Sequence, residues 1–169
     1  LFRDYLRYGG FPKSLEYDDP AAKAAYVESV VGQIIEKDVR ARRKVRNRNT
    51  FERAMDYAIN NFGSPTNLKG IASYLRNTQD VAIKRETLAS YIELLVNAKL
   101  LYRCPRFDVK SKRSLQGGEK YYLADTGIYF ARNVDATMNF GPLLENAAYT
   151  YLLSKGYAVS VGSVGNLEV

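Results

Sequence analysis

The chain of 169 residues has no histidine and a single cysteine, Cys104. One cysteine excludes an internal disulfide, and the missing histidines remove the usual zinc ligands along with every Ser/His and Cys/His nucleophilic pair. No apolar run approaches the roughly 20 residues that cross a bilayer, and no stretch has the plan of a signal peptide. These absences lead us to expect a cytoplasmic protein with no membrane partner and no structural metal. No G-x-x-x-x-G-K-[ST] loop occurs, and "YGG" and "QGGE" lack the strand-to-helix setting of a nucleotide fingerprint. Nucleotide hydrolysis by these residues alone is not expected.

What is present is a hydrophobic share of 46%, enough for a core. There is also a concentrated positive charge. Lys and Arg number 25 against 18 acids, a formal net of +7. Six of those cations, Arg40, Arg42, Arg43, Lys44, Arg46 and Arg48, fall in "RARRKVRNRN" at 40–49, and without them the balance is 19 against 18. A local basic patch is the electrostatic footprint expected for phosphate binding; the plainer alternative is a hydrated join between two helices.

The apolar spacing predicts a short helix in "LFRDYLRY" stopped by Gly9-Gly10 and Pro12. A long helix should follow from Asp19 and Pro20, with Val27, Val30, Val31, Ile34, Ile35 and Val39 on one face. A third, capped by Asn49 or Thr50, carries Phe51, Met55, Ala58, Ile59 and Phe62 inward. A short one presents Leu68, Ile71, Ala72 and Leu75, and another buries Leu88, Tyr91, Ile92 and Leu95. "LLYRCPRFDV" and "KYYLAD" then form a hairpin, with Gly117-Gly118 as its turn and Pro105 placing the first strand at an edge. Of Tyr121 and Tyr122 one should be buried and one exposed. Finally Pro142 opens a helix, and "YAVSVGSVGNLEV" reads as two strands of an α/β element.

The expected class is mainly α with a small β wing: a helical segment at 1–48, a winged helix-turn-helix at 49–125, and at 126–169 the truncated start of an α/β element. In a winged helix the second helix of the helix-turn-helix meets the groove with its first turn, here Lys84, Arg85 and Thr87, and the hairpin tip adds Lys110, Lys112, Arg113 and Lys120. With the six cations at 40–48, Lys84, Arg85, Lys110, Lys112 and Arg113 are the candidate DNA-binding residues. The one candidate catalytic residue is Glu145, which with Glu168 has the order of the carboxylates that hold Mg²⁺ in nucleases; the alternative is a carboxylate favoured by the helix dipole. A start on Leu1 rather than Met, and an end inside the alternation of "GNLEV", suggest a piece of a longer chain.

Taken together, "LRYGGFPKSL", "IIEKDVRAR", "TLASYIELLVNAKLL", "KYYLADTGI" and "GPLLENAAYTYLLSKGY" resemble, in order and over nearly the whole chain, the C-terminal region of prokaryotic AAA-type P-loop ATPases known as ATP-binding proteins, which carry a domain of unknown function after the ATPase core. The resemblance implies an upstream ATPase module as partner in the same chain, holding the ATP and Mg that these residues do not. It implies that "YGGFP" ends the lid of that module and that the stretch from Gly141 opens a restriction-endonuclease-like fold. In that fold an Asp follows the pair matched by Glu168-Val169, so Glu145 is carried over as a position only. The function this implies is an accessory module that binds DNA, with a homo-oligomer as a possible assembly. A nuclease-like enzyme domain and a protein-docking module are the alternatives.

Overall fold

The computed structural model describes residues 1–41, 45–108, 113–164 and 167–168, except for the side chains at 39–41, 113–117 and from 163 on. Helix α1, Phe2–Tyr8, stops where Gly9 adopts φ 78°, and its N–H donates to the Tyr5 carbonyl. A single 3₁₀ turn at Pro12–Glu16 leads to α2, Pro20–Ala41. Asp19 caps α2, its two carboxylate oxygens accepting the N–H groups of Ala21 and Ala22 at 3.2 Å each. Val27 and Val31 are buried, with Ile34 and Ile35 half-buried beside the same core.

Helix α3, Arg48–Asn60, is capped not by Asn49 or Thr50 but by Asn47, whose side-chain oxygen accepts the Thr50 N–H at 3.0 Å. The extended backbone of Asn47 suits a cap, and its oxygen then reaches the donor three residues on. A short strand β1, Pro65–Thr66, precedes α4, Leu68–Gln79, and α5, Arg85–Asn97. Phe51, Met55, Ile71, Leu75, Leu88, Tyr91 and Leu95 fill the space between these three helices. Tyr91 meets Phe51 edge to face at 5.3 Å. Each such fully buried side chain contributes about 1.5–3 kcal/mol relative to exposure.

Strands β2, Leu101–Asp108, and β3, Arg113–Leu123, pair antiparallel; β1 adds to the far side of β3, opposite Lys120 and Glu119. After α6, Gly127–Arg132, and α7, Phe140–Ser154, strand β4, Val161–Val164, joins β2 in parallel through Arg106 and Phe107, and β5, Leu167–Glu168, turns back on β4. The sheet order is β1-β3-β2-β4-β5. The chain is mainly helical with one small mixed sheet.

Three expectations change here. Strand β2 is interior, not an edge. Pro105, which has no N–H to give, sits at a register shift where it alone faces residues 116–119 of β3. Gly117 and Gly118 therefore lie inside β3 as part of that irregularity, Gly118 at φ 71°, and not at the hairpin turn. Tyr121 and Tyr122 are both buried because both faces of the sheet are covered. Tyr121 faces the main core, while Tyr122 stacks on Tyr149 of α7 at 4.1 Å and 20°.

Candidate functional site

Among the predicted cations, Lys84 and Arg85 begin α5 and are exposed together with Thr87, though Glu86 lies exposed in the same turn. Lys84 occupies the cap position without a side-chain cap bond. Arg46 is exposed ahead of α3. Arg48 is engaged: its guanidinium lies 2.8 Å from Glu52 and 3.3 Å from Glu36, and the hydrogen bond to Glu52 leads the interactions that raise its pKa. It thus bridges the end of α2 to the first turn of α3. The side chains of Arg40 and Arg113, and Arg42, Arg43, Lys44, Lys110 and Lys112 entirely, lie outside the described residues.

Lys120 departs furthest from its predicted place at the hairpin tip. Its side chain is 3% exposed, and its Nζ donates to Oε1 of Glu145 at 2.7 Å. The Tyr122 hydroxyl donates to that same oxygen at 2.6 Å. Residues two apart on a strand share a face, so "KYY" sets Lys120 and Tyr122 side by side toward α7. Glu145, 44% exposed, is thereby held by a cation and a phenol. Gly63, at φ 73°, comes close on the same side: a Cβ there would stand 3.8 Å from Glu145 Oε2. The next residue of α7, Asn146, is buried and clasps the end of β3. Its oxygen accepts the Leu123 N–H at 2.8 Å and its amide donates to the Leu123 carbonyl at 3.0 Å.

A second constellation joins Gly9-Gly10 of "YGG" to Gly127 of "ADTGI". Asp125 accepts the N–H of Gly10 at 2.6 Å and of Gly127 at 2.7 Å, tying the chain after α1 to the start of α6. Burial raises the Asp125 carboxyl above its ordinary value, and these two donors oppose the shift. Gly9 and Gly127 must be small here, because a Cβ would fall 1.7 Å and 2.8 Å respectively from Asp125 Oδ1. Sequence reading placed "YGG" as a helix stop and missed this contact, whose two sides are more than a hundred residues apart. On the far face, burial pushes the Tyr149 hydroxyl up to about 12, so it stays protonated and donates to the Arg103 carbonyl at 3.2 Å.

Residues 1–137, from α1 through α6, match the family described as a domain of unknown function (DUF8612). The chain belongs to that family. Asp125, its two glycine partners and Lys120 lie within the DUF8612 match, whereas Glu145 and Asn146 lie beyond it. An uncharacterized protein of Haemophilus influenzae is 28% identical over 169 residues, all of this chain and 42% of its own length. Uncharacterized protein MJ1544 of Methanocaldococcus jannaschii is 27% identical over 154 residues, 91% of this chain and 34% of its own length. The chain thus spans less than half of either relative. No solved structure matches it. Among the described residues, no helix is long and apolar enough to cross a membrane.

Proposed function

We propose that this DUF8612 chain is a cytoplasmic accessory module of a prokaryotic AAA-type ATPase, in which a winged helix binds duplex DNA without catalysis of its own. The observation that carries the reading is the order α3, β1, α4, α5, β2, β3 with the two-residue β1 set against β3. Helix, short strand, two helices and a hairpin that receives the short strand is the plan of a winged helix, and α5 is then the recognition helix. The exposed first turn of α5, with Lys84, Arg85 and Thr87, supports this assignment. The basic run at 40–48 supplies contacts to phosphate, which set affinity rather than sequence choice. Arg48 leaves that group because Glu36 and Glu52 already hold it. ATP and Mg belong, in this proposal, to an upstream ATPase module. Glu145 receives no catalytic role, since one of its oxygens already serves Lys120 and Tyr122.

Fluorescence anisotropy with duplex DNA across a salt series tests the proposal. With about three to five phosphate contacts, log affinity should fall with log salt at a slope of roughly −3 to −4.5. Replacing Arg42, Arg43 and Arg46 by Ala should weaken binding to all sequences alike and flatten the slope. Lys84→Ala and Arg85→Ala should instead weaken a selected site more than random duplex. Absence of salt-sensitive binding would sink the proposal.

A further inference from the structure

A cavity of about 240 Å³ opens between α1, the start of α2 and α6. Its floor is apolar, formed by Ala24, Val27 and Ala131, with the exposed Val134 at the edge. Two cations stand over it. Arg7 places its guanidinium carbon 5.1 Å from the ring centre of Phe130 and 6.0 Å from that of Tyr8, and the Lys23 ammonium lies 4.8 Å from the Tyr8 ring. Both are half-buried, and among the described residues neither has a carboxylate within ion-pair distance. A cation–π contact engages a cation through a ring face and leaves the N–H donors of Arg7 and Lys23 available to an anion. Asp19 also lines the cavity, but both its oxygens are directed at the N–H groups of Ala21 and Ala22. The lining therefore carries two cations against one committed anion.

We propose that this cavity binds a small oxyanion with an apolar body, the anionic group between Arg7 and Lys23 and the body on the Ala24, Val27 and Ala131 floor. Size argues for a small ligand, since the volume lies below the roughly 300–1,000 Å³ that drug-sized ligands occupy. The apolar floor argues against a bare inorganic anion, which would leave it empty. The site is independent of the DNA-binding face, because none of its lining residues belongs to α4, α5 or the hairpin.

Calorimetric titration of the whole chain with four probes tests it: phenyl phosphate, hexanoate, inorganic phosphate and benzyl alcohol. The expected result is saturable binding of phenyl phosphate or hexanoate, whichever headgroup the cations favour. Inorganic phosphate and benzyl alcohol should bind at least about tenfold more weakly, roughly 1.4 kcal/mol. Arg7→Met and Lys23→Met should each weaken the preferred probe at least about tenfold. Ala21→Trp, a change at an exposed rim position, should block the cavity mouth while the chain still unfolds cooperatively, so it decides the matter even where Arg7→Met does not fold. The proposal is overturned by failure of both amphiphilic probes to saturate, by inorganic phosphate binding as tightly as they do, or by unaltered binding in Lys23→Met and Ala21→Trp.

Discussion

The ammonium of Lys120 and the carboxylate of Glu145 meet at 2.7 Å across β3 and α7, one partner 3% and the other 44% exposed. That asymmetry decides which substitution is worse. Glu145→Ala takes a carboxylate from a buried ammonium and from the Tyr122 hydroxyl, and should cost about 1–3 kcal/mol. Lys120→Met leaves a half-exposed carboxylate that water can solvate, and keeps the apolar stem in place, so its loss should be smaller. Urea unfolding of both single variants and the double gives the order; equal losses would show that burial does not govern the pair.

Asn146 serves two backbone groups at once. Asn146→Leu fills the space but removes partners from both the N–H and the carbonyl of Leu123, and should cost about 2–4 kcal/mol if both are left unmatched. Asn146→Asp keeps the acceptor and loses the donor, turning a carboxylate toward a carbonyl, and should do no better. Hydrogen exchange at Leu123 reports the contact directly: its amide should become markedly faster in both variants.

The two glycines at Gly9 and Gly32 should respond to alanine with opposite signs. At Gly9 the backbone stands at φ 78°, and a Cβ would overlap Asp125, so Gly9→Ala should lose roughly 2 kcal/mol or more. Gly32 lies within α2 with nothing inside 4 Å of a Cβ, so Gly32→Ala should gain about 0.5–1 kcal/mol from helix propensity. Thermal unfolding of the two variants checks the pair.

Asp125 makes stability depend on pH. Its carboxyl is raised in the fold by burial, so the folded chain keeps that proton to higher pH than the unfolded chain, where it leaves near about 3.9. The stability this contributes is complete below that value and is lost as pH rises through the folded value, levelling above it. Asp125→Asn does not titrate. The Tm of wild type relative to Asp125→Asn should therefore fall as pH rises from about 3.9 through the raised folded value and then stay level, and a flat difference throughout would contradict the raised value.

Arg46 and Arg48, two positions apart, should differ in kind. Arg48→Ala removes the links to Glu36 and Glu52 and should lower Tm while leaving the salt dependence of DNA binding as it was. Arg46→Ala should leave Tm unchanged and reduce the slope by about 0.9, the share of one phosphate contact. Thermal unfolding beside the anisotropy series separates the two.

Most of the helices were legible in the sequence by itself, though α6 at Gly127–Arg132 was not. Apolar residues three and four apart in 27–35, 51–62 and 88–95, a Pro20 behind Asp19 and a Gly9 after Tyr8 are local signals, read within one or two turns of backbone. Only the tertiary structure decided which strand is an edge and which polar residue is inside. Strand β4 reaches β2 across fifty-five residues, from Arg106 to Val161, and that pairing turns the strand holding Pro105 into an interior one. Covering both sheet faces buries Tyr122 along with Tyr121, so strict alternation no longer separates core from solvent. Lys120 looks like any surface cation until α7 lies over it, and Gly9 looks like any helix stop until Asp125 arrives from the far end of β3. A local pattern fixes where a backbone can form its own hydrogen bonds. Whether a charge is buried depends on what the rest of the chain lays on top of it, and no period in the sequence encodes that.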